Sequence, residues 1–490
     1  LWYDEAYTAW IAGLQWHEIL GVLRTGDVHP PLYFLMMKGW ISLAGVSEVA
    51  LRFPSACVSC ISVALTYALL RRSSSEGVGL LGALLVSVSP LHIMAAQEAR
   101  MYPFLGALAL GSTLALARSV QQGGIGRWAL YAGVGTTMIY THYLGFLVLL
   151  AHGLWVFFFA RRSQDMAPWL TCMAAAGLLY IPWVPTLLYQ VIQGRGSLPV
   201  GAFGVGDLMG LFAFGGSLFG TANYFAVGTL GTIEQLILYL PFLAVLWQGA
   251  VSFRSNRQAL ALVGLPLVVP VGSMLLLSIV KPMFYPRWFS FLFPFYAMFL
   301  ARGLVQASES FRSRQARPLA FLTAGLLLYS MPVLTHYYFD PAFRPYQWRA
   351  AAAFVQARVN PQDFFLFVNH PAEIAFTYYF TGPHPSRTLP IFEMVPSTDH
   401  PPSFTADRAR QLAAQYPRVW LIATPPFDAN AQRRLRTSLE TAFHVVEVRT
   451  FSGVWVILLE ERGPGTRRGT GPLHHATHPA QTRGALWGRA

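Results

Sequence analysis

Leu1-Trp2-Tyr3-Asp4-Glu5-Ala6-Tyr7 opens the chain. Two adjacent carboxylates stand among aromatics at the head of a very apolar sequence. Taken alone, Asp4 and Glu5 suit the start of a helix, where negative charge interacts favourably with the helix dipole. The segments that follow give the pair a second reading: a membrane body that holds these two carboxylates in place.

Of 490 residues, 54% are hydrophobic and only 12% are charged. A soluble chain carries about a quarter charged residues. The composition reads as a multi-pass α-helical membrane protein. Apolar segments near the ~20 residues a bilayer requires fall at 49–70, 77–96, 101–119, 128–141, 143–160, 168–190, 232–252, 259–280, 287–305 and 318–338. Only His142-Tyr143 separates the fourth from the fifth. The formal charge is +13, and its placement matters more than its size. Arg71-Arg72, Arg118 with Arg127, Arg161-Arg162, Arg254 with Arg257, and Arg312-Arg314-Arg317 fall on one side of the series. The opposite connectors hold fewer basic residues: Arg100, Lys281, Arg287 and, in a longer loop, Arg195. The positive-inside rule makes the first set cytoplasmic. About ten spans then place both the Asp4-Glu5 segment and the C-terminal region outside the cytoplasm.

The chain divides by composition. Residues 1–48 read as a first extracytoplasmic loop with interfacial helices. Its first helix, over 8–24, is interrupted by His17, Glu18 and Arg24, which suits a surface position. Asp27-Val28-His29-Pro30-Pro31-Leu32-Tyr33 follows, with prolines that restrict the backbone. A short helix from Leu32, containing Lys38, is expected to lie flat at the interface. Residues 49–339 form the transmembrane domain. Within it, 191–231 is a Gly-rich external loop with Phe203, Phe212, Phe214 and Phe219, suited to a lid, a re-entrant segment or a plain interfacial loop. Residues 340–462 read as a small α/β domain. Strands are expected at 364–368 and 419–423, helices at 371–380 and 429–443, and a hairpin over 445–459 around Ser452-Gly453. Residues 463–490 read as a disordered tail, in which the cluster His474-His475-Ala476-Thr477-His478 is incidental. The cysteines Cys57, Cys60 and Cys172 lie in apolar runs and read as small packing residues, with no disulfide.

Three polar clusters fall on the outer side: Asp4-Glu5, His29, and Gln97-Glu98-Ala99-Arg100-Met101-Tyr102. At a bilayer centre Glu98 and Arg100 would each cost about 2.5–3.5 kcal/mol, a cost that mostly disappears at a span end. The last cluster is therefore either a solvated turn or part of a cleft shared with Asp4.

The ordered set of Asp4-Glu5-Ala6-Tyr7, His29-Pro30-Pro31-Leu32-Tyr33, Leu51-Arg52-Phe53-Pro54-Ser55, Ser89-Pro90-Leu91-His92 and Gln97-Glu98-Ala99-Arg100-Met101-Tyr102 resembles the polyprenyl-phosphate-dependent membrane glycosyltransferases. These are the protein mannosyltransferase and aminoarabinose transferase-like enzymes of the type C fold. The likeness is dense over residues 1–160 and continues through Tyr285-Pro286-Arg287-Trp288 to Trp348-Arg349-Ala350-Ala351. It implies a sugar moved from a polyprenyl-phosphate donor to a glycan, lipid or protein acceptor on the extracytoplasmic face of the cell membrane, with membrane lipids as surroundings and no nucleic acid. It also maps the family's catalytic carboxylate onto Asp4.

The implied chemistry needs a base for the acceptor hydroxyl and a cation for the departing phosphate. Asp4 is expected as base, with Glu5 and Glu98 tuning it or holding a cation. Arg100 and Arg287, with Lys281 and Tyr102, are the candidates for the donor phosphate, and His29 for positioning. No cofactor is implied with certainty; a divalent metal would draw on Glu98 and His29. Gly133-Val134-Gly135 sits in an apolar span, so it reads as packing rather than a nucleotide cradle. The chain departs from the family in one respect. The family places a spanning helix before its acidic pair, so the sequence as given is expected to lack one. The competing class is a transporter or flippase for a lipid-linked sugar, which would favour mid-span polar residues and internal repeats.

Overall fold

Helix formation in the computed structural model follows local signals in the chain. The structure describes residues 1–490 except 160–162, 194–207, 209, 211, 213–231, 255, 281–284, 311–330, 332, 336, 340–345, 390–403, 425–428 and 463–490. Lys281, most of the expected 191–231 loop, most of the expected 318–338 span and the expected tail therefore lie outside the described residues.

The helix expected over 8–24 is two helices, α1 (Tyr3–Gly13) and α2 (Trp16–Thr25). Gln15 starts the second through a capping box, its own N–H donating to Glu18 Oε2 at 2.7 Å. α3 (Leu32–Ala44) begins after Pro31. α4 (Glu48–Ser73) is capped by Ser47, whose hydroxyl accepts the Ala50 N–H at 3.2 Å, and ends on Arg71 and Arg72.

The segment expected as one span over 77–96 is bent by 62° between α5 (Glu76–Val88) and α6 (Pro90–Ala96). Pro90 lacks the N–H a continuing helix needs, and the Ser89 hydroxyl caps the new helix by accepting the His92 N–H. α7 (Tyr102–Gln122), α8 (Ile125–Thr141) and α9 (Gly145–Phe159) follow. His142 caps the end of α8 in an extended conformation, and its ring accepts the Leu144 N–H at 3.1 Å. The two-residue break seen in the sequence is thus a tight turn between two helices. α10 (Ser163–Tyr180) continues through a 3₁₀ turn at Ile181–Trp183 into α11 (Val184–Ile192). Helices Thr232–Ser252, Arg257–Val280 and Phe293–Ser310 complete the described bundle.

Five described helices are long and apolar enough to cross a membrane, six if the bent pair counts as one span. α8 and α9, with 17 and 15 residues, reach only about 25 and 22 Å, short of a ~30 Å hydrocarbon core. Close packing is visible where Thr232–Ser252 crosses Phe293–Ser310. A side chain at Gly249 would meet the Phe299 carbonyl, and one at Gly303 the Val245 carbonyl. The cysteines of α4 do not pack as expected: Cys57 and Cys60 are exposed. The buried stripe of that helix is formed by Ser55, Ser59, Ser62 and Thr66 instead.

The chain separates into two units, Leu1–Trp10 with Pro341–Ala490, and Ile11–Asp340. The first contains a five-stranded sheet in the order Ser386–Thr388, Phe364–Phe367, Arg418–Ala423, Val454–Glu461, Phe443–Phe451. Its strands are β1 (Phe364–Phe367), β2 (Ser386–Thr388), β3 (Arg418–Ala423), β4 (Phe443–Phe451) and β5 (Val454–Glu461). β1 pairs parallel with β2 and β3; β3–β5 and β4–β5 are antiparallel. Every residue of β1 is buried, with helices Ala406–Gln415 and Ala429–Glu440 packed on one face and His370–Thr377 on the other. Leu366, Leu421 and Leu459 pack with Leu439 on one side, while Phe365, Phe367, Phe376 and Phe380 form an aromatic cluster. Gly453, at φ +69°, makes the turn between β4 and β5, a conformation that favours glycine. The Trp420 indole donates to Asp363 at 2.7 Å, so this buried polar pair is satisfied.

Candidate active site

The turn Gln97-Glu98-Ala99-Arg100-Met101 joins α6 to α7, held by an Arg100 N–H bond to the Glu98 carbonyl at 2.8 Å. It is not a solvated turn. Glu98, Arg100 and Tyr102 are each 4% exposed. A carboxylate buried this deeply requires a partner, and the partner comes from 189 residues away. Arg287 Nη2 donates to Glu98 Oε2 at 2.6 Å, with Arg287 itself 5% exposed. Pro286 opens the 3₁₀ turn that presents Arg287. The guanidinium also stands 5.6 Å from the centre of the Tyr102 ring.

The ring network extends further. His142 lies 5.6 Å from Tyr102 and 5.6 Å from His29, centre to centre. His29 Nδ1 is 2.5 Å from Asp27 Oδ1, and Asp27 is buried. Burial, followed by the charges of His29 and Arg100, pushes the His142 imidazole well below its ordinary range, against the pull of Asp27. The ring is therefore neutral. Because its Nδ1 accepts from Leu144, Nε2 carries the proton and is the donor. The Ser55 hydroxyl donates to the Arg100 carbonyl at 3.4 Å, which fixes the motif Leu51-Arg52-Phe53-Pro54-Ser55 to this turn.

Expected residues His29, Glu98, Arg100, Tyr102 and Arg287 thus gather in the helical unit, joined by Asp27 and His142. Asp27 is signalled in the sequence only by its spacing from His29, and His142 only by interrupting two apolar runs. Glu98 is engaged by Arg287 and His29 by Asp27. Among the described residues no group of three His, Cys, Asp or Glu side chains is placed to hold a metal.

Asp4 and Glu5 belong to the other unit. Both lie in the first turn of α1, as their charge favours, but their surroundings differ. Glu5 is fully buried and its Oε2 accepts the Trp2 N–H at 3.4 Å. Asp4 is half-buried, so of the pair it is the carboxylate with access from outside. Along the same helix run Tyr3, Tyr7 and Trp10, with ring centres 5.8 and 5.7 Å apart, and Trp10 meets His370 edge-on at 5.6 Å. His370 donates to Glu373 at 3.0 Å, and Thr388 to the same carboxylate at 2.6 Å. The first of these bonds, helped by the second, holds the Glu373 carboxyl below its ordinary range. Flat aromatic faces beside hydrogen-bonding groups are suited to sugar rings or other amphipathic ligands.

Residues 28–185 match the family model of the dolichyl-phosphate-mannose-protein mannosyltransferases. That window contains His29, Glu98, Arg100, Tyr102 and His142 but not Asp4, Glu5 or Arg287. The structure is similar to that of ArnT from Cupriavidus metallidurans bound to undecaprenyl phosphate, with a TM-score of 0.56 and 12% identity over 93% of each chain. The chain has the type C glycosyltransferase fold. The archaeal oligosaccharyltransferase AglB from Archaeoglobus fulgidus, solved with an inhibitory peptide and a dolichol-phosphate, is similar over 93% of this chain and 70% of its own, with a TM-score of 0.51 and 10% identity. No curated protein sequence matches the chain. The resemblance read from the ordered motifs and the type C fold agree, at an identity where only architecture and a few short motifs persist.

Proposed function

We propose that the protein is an integral-membrane glycosyltransferase that moves a sugar from a polyprenyl-phosphate donor to an acceptor hydroxyl on the extracytoplasmic face. The observation that carries this is the buried set of Arg287, Glu98, Tyr102 and Arg100 on motifs that resemble those enzymes. Buried guanidinium groups are costly unless they serve an anion, and arginine matches phosphate geometry with paired N–H donors.

The roles follow from the chemistry. Asp4 takes the acceptor proton as the hydroxyl oxygen bonds to the anomeric carbon. The bond from that carbon to the phosphate oxygen breaks, and its electron pair leaves with the polyprenyl phosphate. Attack opposite the leaving group inverts the anomeric centre. Arg100 and Arg287, with Lys281, take up the phosphate charge. The neutral His142, oriented beside His29, offers its Nε2–H to a donor oxygen, and Asp27 holds His29 in place. Purified protein in liposomes tests the reading: it should convert a polyprenyl-phosphate sugar to glycosylated acceptor of inverted configuration. Retention of configuration would remove the single-displacement route.

Donor binding gives a second expectation. Arg100→Ala should weaken binding of polyprenyl phosphate by about tenfold or more, the value of a charge-assisted hydrogen bond. Equal binding by variant and parent would reduce Arg100 to a structural cation. Orientation gives a third. In a background with Cys57, Cys60 and Cys172 replaced by serine, a cysteine at Ser74 should be shielded from an impermeant thiol reagent in intact cells, and one at Gly382 should react. The basic ends of the spans motivate this, and labelling at Ser74 alone would reverse the orientation.

A further inference from the structure

The helical unit carries a second feature, remote from the residues above. A cavity of about 1060 Å³ opens at the other end of α7 and α8, where Gly123 and Gly124 join them. α7 begins at Tyr102 and has 21 residues, so this end lies about 30 Å along the helix from the buried Arg287–Glu98 pair's turn. Its wall is apolar, built by Ile125, Trp128, Ala132 and Phe159. Ile125 is 87% exposed, so the cavity is a groove open along its side and not a closed void.

The polar groups of the wall are mostly satisfied within the protein. The Gln258 amide donates to the Phe159 carbonyl at 2.9 Å, and the Cys172 thiol to the Trp128 carbonyl at 3.3 Å. Among the described residues the one charged side chain in the lining is Asp165, half-buried in the first turn of α10. The rim carries the opposite charge. Arg127 Nη1 donates to the carbonyl of Gly123, a lining residue, at 3.0 Å. Both glycines have positive φ, at +61° and +92°. A side chain at Gly124 would press on Arg127 at 3.3 Å, so the connector leaves room for that guanidinium. Arg72, hydrogen-bonded to Gln121, and Arg118 make the same end of the bundle basic.

We propose that this groove binds an ethanolamine-type phospholipid, with an acyl chain along the apolar wall, the ammonium on Asp165 and the phosphate at Arg127. The charge pattern selects this occupant. A purely anionic headgroup would leave Asp165 against like charge, and a detergent-like tail would use neither charged group. A zwitterion with a primary ammonium uses both, and unlike a quaternary ammonium it donates hydrogen bonds to the carboxylate. The proposal uses no residue assigned to transfer and stands or falls separately from that function.

The test is native mass spectrometry of the delipidated full chain. It is supplied with equal amounts of phosphatidylethanolamine, phosphatidylglycerol and phosphatidylcholine of identical acyl chains. The wild type should retain the ethanolamine lipid preferentially. Asp165→Asn should lose that preference over phosphatidylcholine by about tenfold, and Arg127→Gln should weaken retention of all three. Ala132→Trp, which fills the groove, should abolish retention. Asp165 and Arg127 are not buried, so their variants report even if Ala132→Trp fails to fold. Equal retention of the three headgroups, a preference for phosphatidylglycerol, or an unchanged preference in Asp165→Asn would overturn the proposal.

Discussion

Asp4→Asn is expected to abolish sugar transfer while leaving the fold and donor binding nearly intact. The substitution keeps the size and hydrogen-bonding capacity of the side chain and removes its basicity. Loss of a general base costs about 10²–10⁴ in rate. Asp4 is half-buried in the first turn of α1, where an amide of the same size fits the same space. Its main-chain carbonyl, which accepts the Thr8 hydroxyl at 3.0 Å, is unaffected. Glu5 supplies the control. It is fully buried and accepts the Trp2 N–H, so Glu5→Gln should lower stability slightly and leave turnover within a few-fold of the parent. The measurement is single-turnover transfer from a polyprenyl-phosphate sugar, with donor binding measured separately. Parental rates in Asp4→Asn would remove Asp4 from the reaction, and loss confined to Glu5→Gln would move the base one residue along.

Glu98→Ala should produce the largest effect on stability. Removing one partner of a buried ion pair leaves the other charge uncompensated, at a cost of about 3–5 kcal/mol. Here Arg287, at 5% exposure, would lose the carboxylate it meets at 2.6 Å. Thermal unfolding in detergent should show a large fall in Tm. The double variant Glu98→Leu with Arg287→Met separates stability from function. Replacing a buried pair by apolar groups of similar volume is often neutral or stabilising. The double variant should therefore regain most of the lost Tm without regaining donor binding or transfer. If it transfers sugar at the parental rate, the pair is only a structural brace between the α6–α7 turn and the 3₁₀ turn.

Much of the architecture could be read from the chain because helix and strand patterns are local. The apolar runs appear as α4, α7 and Arg257–Val280, and strands expected at 364–368 and 419–423 appear at Phe364–Phe367 and Arg418–Ala423. Local patterns misled where a single residue altered the path. Pro90 bends what reads as one apolar span, and Gln15 with Glu18 starts a new helix inside what reads as one amphipathic segment. Cys57 and Cys60 illustrate a further limit. Their small size fits a helix contact, yet the neighbouring serines occupy the buried face, because hydropathy does not say which side of an apolar helix meets its neighbours.

By itself the sequence determined the class of protein, the apolar helices, the strands near 364–368, 419–423 and 445–459 but not Ser386–Thr388, and the short motifs that contain Asp4, His29, Glu98, Arg100 and Arg287. Each depends on residues close together in the chain. Only the tertiary structure decided that Glu98 is buried against Arg287 across 189 residues, that Asp27 and His142 join His29, and that Glu5 is enclosed while Asp4 stays accessible. The physical reason is that burial and charge pairing depend on which distant elements pack together. A carboxylate in a turn reads the same in sequence whether water or a guanidinium faces it.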